Sequence, residues 1–173
     1  MTYAQDRAQS IKLLALDVDG VLTDGRIYYG SGGEELKAFN IKDGLGIKLL
    51  QRTGVTVAII TGRESAIVSR RAAELGISEV IQGREDKREA LAELCERHKL
   101  ALSDCAYMGD DLPDLAAINS AGLGLTVANA ATPVREAAHW CSSVNGGDGA
   151  VREACELILA AKGALSKLEA EYQ

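Results

Sequence analysis

The sequence predicts an α/β protein in which a parallel β-sheet is flanked by helices. Three observations predict it: apolar or β-branched runs alternate with helical patterns, glycines and helix-capping residues separate them, and polar residues follow several of the apolar runs. Strands that alternate with helices are typical of a parallel sheet, because parallel neighbours need a long crossover that is usually a helix. A chain of 173 residues fits one such unit. We therefore expect a single domain over residues 1–173.

The expected elements follow from the period of the apolar residues and from the residues at their ends. The six strands are expected at 11–16, 55–60, 79–82, 105–108, 124–127 and 140–142. Helices are expected at 44–52, 65–75, 87–98, 112–120 and 133–138, with a C-terminal helix and polar tail over about 150–173. Boundary signals are Asp43 and Asp148 as caps, Gly54 and Gly76 as helix ends, and Pro133 in a first turn.

One segment interrupts the alternation directly after the first strand. Residues 26–29 and 35–39 form two extended runs around the turn Gly30-Ser31-Gly32-Gly33, which predicts a β-hairpin flap over about residues 25–40. An isolated two-stranded hairpin is marginally stable in water. Ile27, Tyr28 and Tyr29 give this one apolar surface, so we expect it to pack against something.

Composition excludes several classes of protein. The net charge is −6 and no basic run is long enough to neutralise a polymer of phosphates, which argues against a nucleic-acid partner. We see no signal peptide and no apolar window that could cross a bilayer, so a cytoplasmic protein without a membrane partner is expected. The four cysteines are widely spaced and are expected to be reduced core residues.

Polar side chains follow the ends of four predicted strands. They are Asp17 and Asp19 after the first, Thr61-Gly62-Arg63 after the second, Lys87 soon after the third, and Gly109-Asp110-Asp111 after the fourth. Ligands of open α/β sheets bind beyond the carboxyl ends of the strands. One Asp-x-Asp pair is more often a capping turn than a site, but four such strand ends together favour a functional site.

These residue types suit phosphoryl transfer with Mg²⁺. Carboxylates from two strand ends repel one another unless a cation lies between them, and Mg²⁺ prefers oxygen ligands. Asp17 would attack phosphorus, and Asp19 would protonate the leaving oxygen and then activate water. Thr61 and Lys87 would hold the phosphoryl oxygens.

The four strand-end segments, at this order and spacing, resemble the four motifs of the haloacid dehalogenase superfamily. Longer segments, at 17–48, 57–63, 109–111 and 146–153, resemble the family of 3-deoxy-D-manno-octulosonate 8-phosphate phosphatases. The resemblance covers nearly all of the chain beyond the first ten residues. It implies a Rossmann-like domain without a cap domain, since the segment after the first strand is long enough only for a flap.

The resemblance also implies an activity, a cofactor and a set of contacts. The enzyme would release inorganic phosphate and the free octulosonate for lipopolysaccharide precursor synthesis in Gram-negative bacteria. Mg²⁺ would be bound by Asp17, the main-chain carbonyl of Asp19, and Asp110, with Asp111 beside them. The substrate contacts implied are Asp19, Asn40, Ile41, Lys42, Asp43, Gly44, Lys48, Arg63, Arg71 and Lys87. Many relatives have Arg at the positions of Lys42 and Lys48, and Lys cannot form the planar fork of Arg. Members of this family form homotetramers in which neighbouring protomers help to enclose each site, and the resemblance implies the same assembly here.

Two alternatives remain open at this point. The same chemistry could act on an acylneuraminate or another nonulosonate 9-phosphate, because those phosphatases share the design without a cap. The chain could instead be a non-catalytic oligomeric binding module that has kept the fold. Kinase and dinucleotide-binding signatures are missing, because no Gly-x-x-x-x-Gly-Lys-Ser/Thr or Gly-x-Gly-x-x-Gly occurs.

Overall fold

The computed structural model describes residues 3–173. The strands are β1 (Leu13–Leu16), β2 (Tyr28–Tyr29), β3 (Glu35–Leu36), β4 (Thr56–Ile60), β5 (Glu79–Ile81), β6 (Cys105–Met108), β7 (Leu123–Thr126) and β8 (Trp140–Cys141). The helices are α1 (Tyr3–Gln9), α2 (Ile41–Gln51), α3 (Ala66–Glu74), α4 (Lys87–His98), α5 (Leu115–Ser120), α6 (Thr132–Ala137), α7 (Ala150–Ala161) and α8 (Leu165–Ala170). Short 3-10 turns lie at Leu102–Asp104 and Leu112–Asp114.

Six strands form one parallel sheet in the order β5-β4-β1-β6-β7-β8. The central strand β1 is buried over its whole length, which explains why it is a continuous apolar run rather than an alternating one. Helix α7 contacts both α1 and α2, and α5 contacts both α4 and α6. The predicted fold class, with a parallel sheet flanked by helices, is confirmed. The central strand of this sheet, β1, ends at Leu16, so Asp17 lies near the middle of the edge formed by the carboxyl ends of the strands.

The predicted hairpin is also confirmed. Strands β2 and β3 pair antiparallel, with Tyr28 opposite Leu36 and Tyr29 opposite Glu35. The turn closes through a hydrogen bond from the Gly30 amide to the Glu34 carbonyl at 2.8 Å. The apolar side chains of the hairpin remain largely uncovered within one chain, since Tyr29 is 72% exposed.

Three segments differ from the sequence prediction. The helix expected at 112–120 begins as a 3-10 turn, in which Asp111 accepts a hydrogen bond from the Leu112 amide at 2.8 Å. Helix α1 was not predicted; it contacts α7, and its buried residues, Ala4 and Ala8, give a weak periodic signal. The expected long C-terminal helix is divided at residues 162–164 into α7 and α8, and α8 buries one side chain, Leu168.

Two predicted helix caps are wrong. Asn40, rather than Asp43, caps α2, because its side-chain oxygen accepts from the Lys42 amide at 2.9 Å while Asp43 already lies inside the first turn. Gly149, rather than Asp148, is the N-cap of α7, and no side chain of its own segment caps that helix. Asp43 serves α7 instead, since its carboxylate accepts from the Arg152 amide at 2.8 Å. The buried Asp43 thus ties the start of α2 to the start of α7.

No helix among residues 3–173 is both long and apolar enough to cross a membrane. The four cysteines are free thiols, and Cys95, Cys105 and Cys155 are buried as predicted. Cys141 is exposed rather than part of the core, because it lies on the edge strand β8.

Candidate active site

A tight turn after β1 carries the first two aspartates of the site. The Asp17 amide continues the sheet by donating to the Met108 carbonyl at 2.9 Å, and the Val18 carbonyl then accepts from three following amides. Gly20 has φ +92, and a Cβ added there would lie 2.0 Å from an Asp110 carboxylate oxygen. Only glycine therefore allows this turn and the close approach of Asp110 to it.

The strand-end residues predicted from the sequence meet in one pocket of about 320 Å³. Its lining comprises Asp17, Asp19, Gly25, Ile27, Thr61, Gly62, Arg63, Glu85, Lys87, Asp110, Asp111, Pro113 and Asp114. Thr61 is buried, and its amide and carbonyl are both used in backbone hydrogen bonds beyond β4. The hairpin reaches this pocket through Ile27, as expected for a flap.

Lys87 forms a buried ion pair with Asp17. Its Nζ atom lies 3.1 Å from Asp17 Oδ1 and 2.7 Å from Asp114 Oδ1. Burial disfavours the ammonium form, but the two carboxylates outweigh it and raise the pKa of Lys87. Lys87 is therefore a fixed positive charge beside Asp17, on the first turn of α4.

Asp114 is a site residue that the sequence analysis missed. Its carboxylate accepts hydrogen bonds from Lys87 Nζ, from the Tyr107 hydroxyl at 2.7 Å, and from the amides of Asp110 and Asp111 at 3.0 and 3.2 Å. Burial raises the pKa of Tyr107 well above its usual value, which keeps that hydroxyl protonated as a donor. Asp114 thus holds both Lys87 and the backbone that presents Asp110. The signal in the sequence was a third acid shortly after Asp110-Asp111, in a segment that was assigned to an ordinary helix.

The carboxylates fit a divalent cation. Oxygen atoms of Asp17, Asp110 and Asp114 all lie within 4.8 Å of one another. Burial, and to a smaller extent the charge of Asp114, raises the pKa of both Asp17 and Asp110 to about 7. A bound cation would offset the cost of keeping these two carboxylates ionised. Asp114 already accepts hydrogen bonds from four groups, so Asp17 and Asp110 are the better ligands. An all-oxygen set of this kind suits Mg²⁺.

Asp19 lines the pocket and contacts the hairpin. Its Oδ1 atom accepts a hydrogen bond from Lys37 Nζ at 2.5 Å, and its Oδ2 atom lies 4.0 Å from Arg63 Nε. Lys37 was not predicted as a site residue, because nothing in the pattern of a short exposed hairpin indicates where one lysine points. Arg63 also lies 3.6 Å from Glu35, so the hairpin and the carboxyl end of β4 meet over Asp19.

The other predicted substrate contacts do not lie in this pocket. Ile41, Gly44, Lys48 and Arg71 line a second cavity of about 260 Å³ together with Leu45 and Leu75. Lys42 is exposed, while Asn40 and Asp43 are used within the chain, as caps of α2 and α7. Asn40 also donates to the Gly147 carbonyl at 3.1 Å. Their assignment to substrate binding therefore stays a prediction, and within one chain it has no support from proximity to Asp17.

The buried Asp43 should make folding stability depend on pH. Burial raises the pKa of Asp43 to about 6, and one of its oxygens has no hydrogen-bond partner among the described residues. An unfolded Asp releases its proton near pH 3.9, so the folded state binds more protons between these values and stability falls as pH rises. From pH 4.5 to pH 7, the wild type should lose about 2 kcal/mol relative to Asp43→Asn, which keeps an oxygen for the Arg152 amide.

Denaturant unfolding of both proteins at each pH measures this difference. Comparison with the matched variant removes the effects of other titrating groups, because both proteins share them. Parallel stability profiles would show that Asp43 ionises normally in the folded state.

A buried aspartate paired with a lysine and flanked by further carboxylates, at the carboxyl edge of a parallel sheet, defines a metal-assisted phosphoryl-transfer site. The sequence model of the haloacid dehalogenase-like hydrolases matches residues 74–153. The 3-deoxy-D-manno-octulosonate 8-phosphate phosphatase of Salmonella typhi is 44% identical over 170 residues, covering 98% of this chain and 90% of that protein. Its counterpart in Escherichia coli K12 is 45% identical over 95% of this chain and 88% of that protein.

Solved structures agree with these relatives. The octulosonate 8-phosphate phosphatase of Moraxella catarrhalis, crystallised with magnesium, phosphate and the octulosonate (KDO), has a TM-score of 0.98 at 50% identity, covering 100% of this chain and 99% of that one. The cobalt-bound enzyme of Haemophilus influenzae has a TM-score of 0.89 at 41% identity, covering 92% and 94%. The chain therefore belongs to the 3-deoxy-D-manno-octulosonate 8-phosphate phosphatase family of the haloacid dehalogenase-like hydrolases.

Proposed function

We propose that this protein hydrolyses 3-deoxy-D-manno-octulosonate 8-phosphate to the free sugar acid and inorganic phosphate, through an aspartyl-phosphate, as a step of lipopolysaccharide precursor synthesis in the cytoplasm. The observation that carries the proposal is the buried Asp17, which lies 3.1 Å from Lys87 and whose oxygens lie within 4.8 Å of Asp110. A carboxylate fixed beside a cation and a metal ligand is suited to attack phosphorus. Family membership supplies the sugar, because the relatives named above act on this ester.

Residues of the pocket act in two steps, formation of the phosphoenzyme and its hydrolysis. Asp17 attacks phosphorus while Asp19 gives a proton to the leaving sugar oxygen, and Asp19 then takes a proton from the water that hydrolyses the phosphoenzyme. Lys87 and the Thr61 hydroxyl stabilise charge on the transferred oxygens. Both side chains are buried, so water competes little for these contacts.

Mg²⁺ would be held by Asp17, Asp110 and the main-chain carbonyl of Asp19, with Asp111 beside them. When bound, it reduces the repulsion between the attacking carboxylate and the phosphate. Asp110 is presented for this role by two contacts of the chain. Its amide donates to Asp114, and its carbonyl accepts from the Ala131 amide at 2.9 Å.

Assembly into a homotetramer would explain the second cavity. Tyr29, Leu36 and Ile41 are all more than half exposed in one chain, at 72%, 60% and 82%. Tyr29 and Leu36 lie on the hairpin, and Ile41 lies at the start of α2, where it lines the second cavity together with Lys48 and Arg71. A neighbouring protomer could therefore bring the predicted sugar contacts, including Lys42, to the pocket of Asp17.

Light scattering of the protein in solution should give a mass close to four times the 18.3 kDa of one chain.

A substrate panel with and without Mg²⁺ tests the proposed function. We expect the octulosonate 8-phosphate to have the highest kcat/KM, and phosphate release to stop when a chelator removes the metal, because Asp17 and the phosphate then repel one another. Activity should return on addition of Mg²⁺.

The panel should include an acylneuraminate 9-phosphate and a second nonulosonate 9-phosphate. A higher kcat/KM on either of them would mean that this ester, rather than the octulosonate ester, is the substrate, with the same phosphatase mechanism. Absence of phosphate release from every ester, by a folded protein with Mg²⁺ present, would instead favour the non-catalytic binding module.

A further inference from the structure

We infer that Lys37 of the hairpin is a positioning residue for Asp19, holding its carboxylate in the orientation for proton transfer to the leaving oxygen. The inference rests on the proposed function in one respect, the role of Asp19 as the acid and base. It adds a part for the hairpin in the chemistry itself, beyond covering the pocket.

The contact between Lys37 and Asp19 is short, and its lysine end is almost fully buried, whereas the Asp19 side chain is 24% exposed. The Lys37 ammonium donates to Asp19 Oδ1 at 2.5 Å, and the Lys37 side chain is 1% exposed although it comes from a short surface hairpin. A surface ion pair contributes little because water and salt screen it, but this lysine is shielded from both. Burying a lysine is costly unless its charge is paired. The two carboxylates nearest to it are those of Asp19 and Glu35.

Glu35 and Arg63 complete the surroundings of the pair. Glu35 Oε1 lies 3.3 Å from Lys37 Nζ but has no hydrogen-bond partner, so the hydrogen bond of the ammonium goes to Asp19. Arg63 lies 3.6 Å from Glu35 and 4.0 Å from Asp19 Oδ2. Two positive and two negative side chains therefore form one balanced group, in which Lys37 is enclosed and Arg63 stays partly exposed.

This arrangement leaves the two oxygens of Asp19 in different roles. Oδ1 is occupied by Lys37, whereas Oδ2 has no contact closer than the 4.0 Å to Arg63 among the ion pairs of the described residues. Oδ2 is thus the atom that carries the transferred proton. As the Asp17–phosphorus bond forms and the phosphorus–oxygen bond to the leaving group breaks, the proton moves from Oδ2 to the leaving oxygen, and Asp19 becomes ionised. Lys37 stabilises the negative charge that develops on Asp19 in this step.

The loss of activity on removing the Lys37 ammonium should depend on the basicity of the leaving group. An acidic leaving group departs as an anion without a proton, whereas a basic one requires the acid. Phenyl phosphate and p-nitrophenyl phosphate have nearly the same shape but differ in the acidity of the leaving phenol. In Lys37→Met, kcat/KM on phenyl phosphate should fall by about 10- to 100-fold, the range expected for one charged hydrogen bond. On p-nitrophenyl phosphate it should change by less than about threefold.

Two further variants complete the test. Lys37→Arg keeps the positive charge and should recover part of the loss on phenyl phosphate. Lys12→Met removes a more exposed lysine that also pairs with an aspartate, Asp104 at 2.9 Å, just before the start of β1, and it should leave the rates on both esters at the wild-type values. All variants are compared by circular dichroism and by mass in solution, so that loss of the fold or of the assembly is recognised.

Each outcome decides the inference. Equal loss on both aryl esters would overturn it, since Lys37 would then support the whole pocket rather than Asp19. Unchanged rates on both would overturn it as well, even if the sugar ester were affected, because Lys37 would then contact the sugar. Neither ester contains the sugar, so these results are independent of whether the octulosonate is the substrate; failure of the wild type on the octulosonate ester alone would count only against the proposed function.

Discussion

Replacing Asp17 by asparagine should abolish phosphate release, with kcat/KM on the octulosonate ester falling by at least about 10,000-fold. An amide is a poor nucleophile and a poor ligand for Mg²⁺, so the variant loses both functions of the carboxylate. The shape of the side chain is retained, and the amide oxygen can still accept from Lys87. The loss should therefore be one of chemistry rather than of folding.

The stability of Asp17→Asn distinguishes a loss of chemistry from a loss of folding. Burial raises the pKa of Asp17 to about 7, which means that its ionised form is costly in the folded protein without a bound cation. Asp17→Asn should consequently unfold in chelator at the same or a higher denaturant concentration than the wild type.

A second aspartate serves as the matched control. Asp104 pairs with Lys12 at 2.9 Å, just before β6 and away from the pocket, and Asp104→Asn should keep wild-type activity. If Asp17→Asn were as active as Asp104→Asn, Asp17 would not be the nucleophile.

Much of the fold could be predicted because a parallel sheet covered on both faces leaves a simple pattern. Each central strand becomes an apolar run, as in β1 and β4, and the chain turns polar where the strand ends. The same physics made the first part of the site predictable. Asp17, Thr61 and Asp110 stand directly after β1, β4 and β6 or one residue further on, so their meeting at one edge follows from the strand order.

The parts that could not be predicted depend on side-chain direction in irregular backbone. Asp114 contacts Lys87 from the end of a 3-10 turn at 112–114, where the sequence predicted an α-helix. Lys37 contacts Asp19 from 18 positions further along the chain, beyond the turn of the hairpin, where the sequence has no period that predicts side-chain direction. At the start of α2, Asn40 and Asp43 are both suitable caps, and only the extended backbone at Asn40 decides between them.

Asp114→Ala should cause the largest loss of stability of any change considered, about 3–5 kcal/mol in the free energy of unfolding. The substitution removes the acceptor for four donors and leaves the Lys87 ammonium buried with Asp17 as its remaining partner among the ion pairs of residues 3–173. An unpaired buried donor loses its interactions with water without replacement. Activity should fall as well, because the amides that position Asp110 lose their acceptor.

Tyr107→Phe is the matched control for this network. It removes one of the four hydrogen bonds but leaves the carboxylate and its charge, so it should cost about 1 kcal/mol. Denaturant unfolding of the three proteins in the presence of chelator measures both values without the contribution of metal binding to stability. If Asp114→Ala cost no more than Tyr107→Phe, the buried charge would not be what holds Lys87, and the Asp17–Lys87 pair would have to be stable by itself. A large difference would instead mean that Asp17 and Lys87, the proposed nucleophile and its cation, are held in place by the Asp114 carboxylate, which is not itself a proposed ligand of phosphate or metal.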